Sequence, residues 1–223
     1  MPVEMRIPRA KAVDMNAYAR KPVFHYFRNF DVRVNSRTVQ LDVSETRKFI
    51  KDKGLVFSIS MTLLVTQEAN DVAAFRHRIV KGEIEEYDFV FPLYSVLTAE
   101  KSLSLVRGSF SGSFGKDYAD NLAARDDVKA GKQQAIDLSS QGYIIVSVVP
   151  WYSFTAVTFP YSRHNDSVPQ ISIGKFYEQQ GATLIPIAIQ TNHALVDGYH
   201  VGLFLDRLSI YLADPERYIT PMA

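Results

Sequence analysis

A chain of 223 residues, 47% apolar and 22% charged, is long enough for one sizeable core and too apolar for disorder. Lys and Arg number 25 against 24 Asp and Glu, a formal net charge of +1, so nothing electrostatic calls for nucleic acid or an anionic membrane as partner. The lack of cysteine excludes disulfides, a thiol nucleophile and thiolate metal ligands, and fits a reducing, cytoplasmic setting.

No repeat, low-complexity tract or Pro/Gly/Ser-rich linker divides the chain, so residues 1–223 read as a single domain. Residues 1–20 alternate apolar with charged side chains (Glu4, Arg6, Arg9, Lys11, Asp14) and lack the apolar core of a secretion signal. The greasiest stretch, 55–65, is interrupted by Ser58, Ser60 and Thr62 and is too short to span a bilayer.

Phe30 to Val43 alternates apolar and polar residues about Asn35-Ser36, which predicts a hairpin or two short strands. Ser44 reads as an N-cap, with Glu45 in the first turn and Gly54 past the end of a short helix. From Leu55 to Ala69, Phe57, Met61 and Leu64 form a helical face, although the β-branched content keeps a strand open. Apolar positions at Phe75, His77, Ile79 and at Ile84, Tyr87, Phe89 flank Lys81-Gly82, a hairpin signal. Leu93 to Val106 reads as two further strands. Ser113 is placed to cap a helix in which Phe114, Tyr118 and Leu122 recur every four residues, and the remainder to Gln134 reads as charged and exposed.

Tyr143 to Val149 is a nearly continuous apolar run, the mark of a buried strand. Gln170 to Phe176 and Thr183 to Thr191 read as strands. Asp197 to Leu212 reads as a closing helix, with Val201, Phe204, Leu205 and Leu208 on one face. Strands outnumber helices, and helices fall between groups of strands. The expected fold is a mixed-sheet α/β (α+β) domain, a two-layer sandwich with the sheet flanked by helices.

The segment that carries chemistry is Gln190 to His200. A strand delivers His193 at its end, Asp197 follows four residues later, and Gly198 is expected to permit a tight turn into the last helix. A histidine there can be held rigidly and still face a cleft, and its ordinary pKa suits a general base. Taken alone, the spacing fits equally a core histidine satisfied by backbone, with Asp197 capping the helix. Two more clusters add weight. Pro150-Trp151-Tyr152-Ser153-Phe154 follows the buried strand and holds the single Trp; it is either an aromatic corner or the source of a Ser153 hydroxyl for an oxyanion. Tyr18-Ala19-Arg20 precedes Phe24, Tyr26, Phe27 and Phe30, either core and surface residues or parts of a site.

Together these residues resemble the chloramphenicol acetyltransferase family and its relatives, the dihydrolipoamide acyltransferases. His193 to His200 is similar to their His-x-x-x-Asp-Gly signature, and Pro150 to Phe154 resembles the Pro-Trp-x-Ser-Phe stretch of the chloramphenicol enzymes. Gly174 to Tyr177 and Leu184 to Gln190 resemble the strands leading to the active-site histidine. Tyr18-Ala19-Arg20 fits an N-terminal Trp-x-Arg pattern, with Tyr for Trp. The resemblance spans about residues 16–213 and is looser over about 95–140. Asn192 stands where the chloramphenicol enzymes usually have a histidine, and Glu100 to Ser113 departs from their pattern.

The resemblance implies an acetyl-CoA-dependent O-acetyltransferase, assembled as a homotrimer with active sites at subunit boundaries, binding no permanent cofactor. It implies that His193 is the general base, its tautomer fixed by its own backbone carbonyl, and that Ser153 donates to the oxyanion. Asp197 would pair with Arg20 and not relay protons. Tyr26, Phe27 and Leu103, with Leu105, would line the acceptor pocket. Ser172 would hold an ordered water, and Lys175 with Phe176 or Tyr177 would lie by the nucleotide end of the coenzyme. Three alternatives stay open: another alcohol or a thiol as acceptor, a non-catalytic binding module, and a metal site. The last rests on the i, i+4, i+7 spacing of His193, Asp197 and His200, against which the strand before His193 and Gly198 both argue.

Overall fold

The structure, a computed structural model, describes residues 6–132, 134, 136–162 and 165–221. The alternation read at the N-terminus therefore falls partly outside the described residues, since it includes Glu4. In chain order the elements are β1 (Ala10–Ala12), α1 (Lys21–Phe27), β2 (Val34–Asp42), α2 (Ser44–Asp52), α3 (Phe57–Asp71), a 3-10 turn (Ala73–Arg76), β3 (His77–Val80) and β4 (Glu83–Tyr87). There follow β5 (Phe91–Leu97), β6 (Leu103–Arg107), α4 (Phe114–Lys129), β7 (Tyr143–Val148), β8 (Gln170–Ile173), β9 (Tyr177–Gln179), β10 (Ala182–Asn192), α5 (Gly198–Ala213) and α6 (Pro215–Tyr218).

The main sheet runs β2-β10-β8-β7-β5-β6, with β9 also paired to β10; β1, β4 and β3 form a separate three-stranded sheet. β10 is antiparallel to both β2 and β8, whereas β7 is parallel to β8 and to β5. This is the mixed sheet expected from the sequence. α3 packs against α4, α5, β5 and β7, so the helical layer closes over the sheet.

Burial explains which sequence signals were strong. β10 and β8 are buried nearly throughout, and they read as apolar runs. α3 is buried from Ile59 to Thr66 on every side, which is why its one-face pattern was blurred. Its hydroxyls turn inward onto the helix: Thr66 Oγ1 donates to the Thr62 carbonyl at 2.6 Å and Ser60 Oγ to the Val56 carbonyl at 3.1 Å. The β3–β4 hairpin forms at Lys81-Gly82, both with positive φ (51° and 87°), as a two-residue turn of this kind requires.

Three expectations are corrected. Phe30 to Val43 is not a hairpin: Asn35 and Ser36 lie inside the single strand β2, whose whole length pairs with β10. Ser44 is the first residue of α2 and does not cap it; it receives help from Asp42, whose carboxylate accepts the Ser44 N–H at 2.8 Å. Ser113 precedes α4 but its side chain makes no capping bond. Asp117 is buried and accepts from the Ser111 and Gly112 N–H groups and the Ser111 hydroxyl, closing the loop before the helix.

Arg78 is fully buried on β3 with four carbonyl acceptors: Phe75, His77, Gln141 and Tyr143, at 2.6–2.8 Å. Burial lowers its pKa to about 9, so it stays cationic at neutral pH. A delocalised cation surrounded by carbonyl dipoles needs no carboxylate, and this one ties the small sheet to the entry of β7. Arg78→Met strips the donor from all four carbonyls and should lower unfolding free energy by about 3 kcal/mol or more. Urea denaturation measures this, and a change below 1 kcal/mol is the contrary result.

Candidate active site

His193 follows the last residue of β10. Its N–H donates to the Arg33 carbonyl at 2.7 Å, adding one rung to the β10–β2 ladder. Its carbonyl accepts a long 3.5 Å bond from Arg20 Nη2. The imidazole lies flat on Phe27, with ring centroids 4.1 Å apart and planes 8° apart. Nδ1 is buried and has no hydrogen-bond partner, so the expected bond to the residue's own carbonyl is not made. The ring is oriented by the Phe27 stack instead, and Nε2 is left as the nitrogen available to a reacting group.

Arg20 and Asp197 come together as expected, Nη1 to Oδ2. The other carboxylate oxygen caps α5, accepting the N–H of Tyr199 at 3.0 Å and of His200 at 3.4 Å, and lies 2.8 Å from His200 Nδ1. Burial opposes the charge on Asp197, but Arg20 and His200 outweigh it and hold the carboxyl at about 2. None of these bonds reaches the His193 ring. Gly198 does not make the expected tight turn: its backbone is not left-handed, and it is simply the first residue of α5. His193 to Leu195 form a turn ahead of that helix, so His193, Asp197 and His200 do not share one helical face.

Residues that the sequence did not single out brace this end. Arg33 Nε pairs with the buried Asp166 at 3.0 Å, and Arg33 Nη1 donates to the Arg28 carbonyl at 3.0 Å. Burial pushes the Asp166 carboxyl up, against the charge of Arg33 and the nearby Asn192 amide. Asn192, noted as a departure from the family pattern, is buried, and its Oδ1 accepts the Ala194 N–H at 3.0 Å, holding the turn around His193. Arg33 and Asp166 are far apart in sequence and lie in irregular segments, so no spacing rule could join them.

Ser153 sits elsewhere. Beyond β7 the chain stays on β8: the Val149 N–H donates to the Ile173 carbonyl at 2.8 Å, and the Lys175 N–H to the Tyr152 carbonyl at 2.9 Å. The Phe154 ring presses on Gly174, where a Cβ would meet the rings of Phe154 and Pro186 at 2.7 Å. Ser153 is thereby fixed beside Gly174 and Pro186. His193 lies seven residues farther along β10 from Pro186, a distance of about 23 Å of extended chain. Within one chain the two side chains cannot act on one substrate.

The other expected residues divide between these two ends. Tyr26, exposed, and Phe27 belong to the His193 end. Leu103 and Leu105 are exposed on β6, where Leu103 faces Leu97 across the strand pair. Parallel β5 and β7 finish together, so these leucines lie toward the Ser153 end. Ser172 is buried opposite Ser147 and Ala188. Lys175 is exposed, and Tyr177 opens β9. Beside Pro150 and Trp151 a cavity of about 410 Å³ is lined by Phe57, Tyr94, Arg125, Lys129 and Phe176. Arg47 covers the Phe176 ring at 4.4 Å. Large apolar side chains are exposed at both ends, Tyr26, Phe30 and Val32 at one and Trp151 and Tyr152 at the other.

The family model described as chloramphenicol acetyltransferase matches residues 9–209. The chain is 31% identical over 205 residues to a chloramphenicol acetyltransferase of Proteus mirabilis, covering 89% of this chain and 93% of that one. It is 28% identical over 206 residues to one of Clostridium butyricum, covering 88% and 91%. A solved chloramphenicol acetyltransferase superposes with a TM-score of 0.81 at 24% identity, over 92% of this chain and all of that one. A probable dihydrolipoamide acetyltransferase from Listeria monocytogenes shares the fold at TM-score 0.69 and 12% identity, over 99% of each chain.

The Arg20–Asp197 pair yields a stability prediction with a definite sign. The carboxyl falls from its ordinary 3.8 to about 2 on folding, so its contribution is complete above about pH 4 and vanishes as pH falls through 2. Asp197→Asn should cost about 2 kcal/mol at pH 7, with the gap closing below pH 2. Denaturant unfolding of both proteins across that range tests it; a gap that persists at pH 2 contradicts the assignment.

Proposed function

Because the chain belongs to the chloramphenicol acetyltransferase family, we propose that it transfers the acetyl group of acetyl-CoA to a hydroxyl of chloramphenicol, at sites completed between two copies of the chain. The observation that carries the second half of this reading is the separation of His193 from Ser153 along β10. The machinery named by the sequence divides into two half-sites at opposite ends of one sheet. A head-to-tail contact between identical chains brings unlike ends together, and such a contact closes into a ring when the rotation permits. A cytoplasmic homotrimer is the assembly we propose. The exposed aromatic residues at both ends supply apolar surface for it.

In that assembly His193 Nε2 of one copy removes the proton from the acceptor hydroxyl as its oxygen attacks the thioester carbonyl. Phe27 keeps the imidazole in plane, and Tyr26 beside it offers an aromatic wall to the acceptor. Ser153 of the neighbouring copy donates to the tetrahedral oxyanion. Collapse of that intermediate expels the coenzyme thiolate, which takes a proton back from His193. No covalent enzyme intermediate is needed. Arg20 and Asp197 hold the turn after β10 and do not exchange protons with the base. We assign Leu103 and Leu105 to the acceptor pocket from the Ser153 side, with Ser172 behind it. The cavity beside Trp151 and Phe176 suits the pantetheine arm, while Arg125, Lys129 and Lys175 supply positive charge for the coenzyme phosphates.

Thiol release from acetyl-CoA in the presence of chloramphenicol is the direct test, run beside dihydrolipoamide and other hydroxyl acceptors. Turnover with dihydrolipoamide alone refutes the acceptor. His193→Ala should remove activity by several orders of magnitude, and Ser153→Ala by about a hundredfold. Co-expressing the two variants separates a shared site from an internal one. Random mixing gives about a quarter of the boundaries an intact His193 facing an intact Ser153, so activity should return to about that fraction. No recovery from mixed oligomers overturns the shared-site reading.

A further inference from the structure

The two backbone bonds of His193 lead to different arginines. Arg20, which takes its carbonyl, belongs to the pair with Asp197 already described. Arg33, whose carbonyl takes its N–H at 2.7 Å, belongs to a second pair with Asp166. Three features of that pair concern the base. Asp166 is buried, 6% exposed, and meets Arg33 Nε at 3.0 Å. Arg33 also donates to the Arg28 carbonyl, at the end of α1, and so ties down the helix that carries Phe27. Asn192, the neighbour of His193, lies by Asp166 and holds the following turn through the Ala194 N–H.

From this geometry we infer that Arg33 and Asp166 are positioning residues for the catalytic base: their ion pair sets where the His193 ring stands by holding both its backbone N–H acceptor and the Phe27 face it stacks on. The inference rests on His193 being the base. Neither residue touches substrate in this scheme. The pair acts from behind, through residues 27–33, which meet His193 at its backbone N–H through Arg33 and at its ring through Phe27. Without the carboxylate, a half-buried guanidinium loses its partner and the loop loses its anchor. The Arg33 carbonyl and Phe27 then shift together. General-base catalysis is sensitive to such shifts, and a misplacement of about 1 Å can cost about a hundredfold in rate. Coenzyme binding is sensitive to them far less, because the cavity beside Trp151 and Phe176 lies at the other end of the sheet.

The test is steady-state kinetics on Asp166→Asn, Arg33→Met and Arg33→Lys, with His193→Ala as control. Asp166→Asn and Arg33→Met should lower kcat by about ten- to a hundredfold while the KM for acetyl-CoA stays within about twofold. Arg33→Lys keeps the charge beside Asp166 and should recover part of kcat, which a purely space-filling role does not explain. The ring resonance of His193, followed by NMR, should broaden or move in Asp166→Asn and return in Arg33→Lys. If Asp166→Asn does not fold, Asp166→Glu preserves the charge on a longer arm and should still reduce kcat at constant acetyl-CoA KM. Unchanged kcat in folded Asp166→Asn, Arg33→Met or Asp166→Glu overturns the inference. So does a loss that falls equally on kcat and on the fraction folded. Full turnover by His193→Ala refutes the base assignment itself, a different failure from the first.

Discussion

The register of β10 is the constraint from which the rest follows. The strand is paired on both sides and buried along most of its length, with β2 matched from Asp42 to Val34 and β8 matched over Ile173 to Gln170. A one-residue slip would turn its apolar side chains to the wrong face, so the register is strongly specified. Once it is set, His193 must emerge at one end and the Ser153 corner must lie at the other, because β7 and β8 run opposite to β10. The proposed mechanism, which needs both side chains, therefore requires two copies of the chain.

The end that holds His193 is unusual for its charge. Two arginines approach the turn after β10, and each is met by a carboxylate on the same side of the molecule. Asp197 is half-exposed, caps a long helix, and is held well below its ordinary pKa. Asp166 is buried and pushed up. One pair therefore rests on abundant hydrogen bonding and the other on proximity in a poorly solvated site. Both leave the imidazole free of direct contact with a carboxylate.

The Ser153 end is ordered by packing more than by charge. Gly174 is needed there because the Phe154 and Pro186 rings occupy the space a side chain would take. The chain beyond Ser153 then runs back along the sheet, where Phe159 exchanges hydrogen bonds of 3.1 and 3.2 Å with the Gln190 side chain. Serine is thus presented by a corner pinned on both flanks, with Trp151 and Tyr152 exposed beside it.

Much was legible in the residues themselves. The apolar runs announced β7 and β10, Lys81-Gly82 announced a hairpin, and the signature around His193 together with Pro150 to Phe154 pointed to acetyl transfer, because each of these depends on neighbours in the chain. What the sequence misjudged or missed depended on distant partners. Asn35-Ser36 looks like a turn but is straightened by nine rungs of pairing with β10. Gly198 looks like a turn residue but only begins a helix capped by Asp197. The short strands β1 and β9 carry no pattern of their own and exist only through β4 and β10. The sequence by itself determined the two motifs, around His193 and at Pro150 to Phe154, on which the resemblance rests, since each is a run of neighbouring residues. Only the tertiary structure decided that His193 and Ser153 stand at opposite ends of a sheet, that Arg20 meets Asp197, and that Arg33 pairs with Asp166 beside His193. Strand order and long-range ion pairs arise from packing between segments that no local spacing relates.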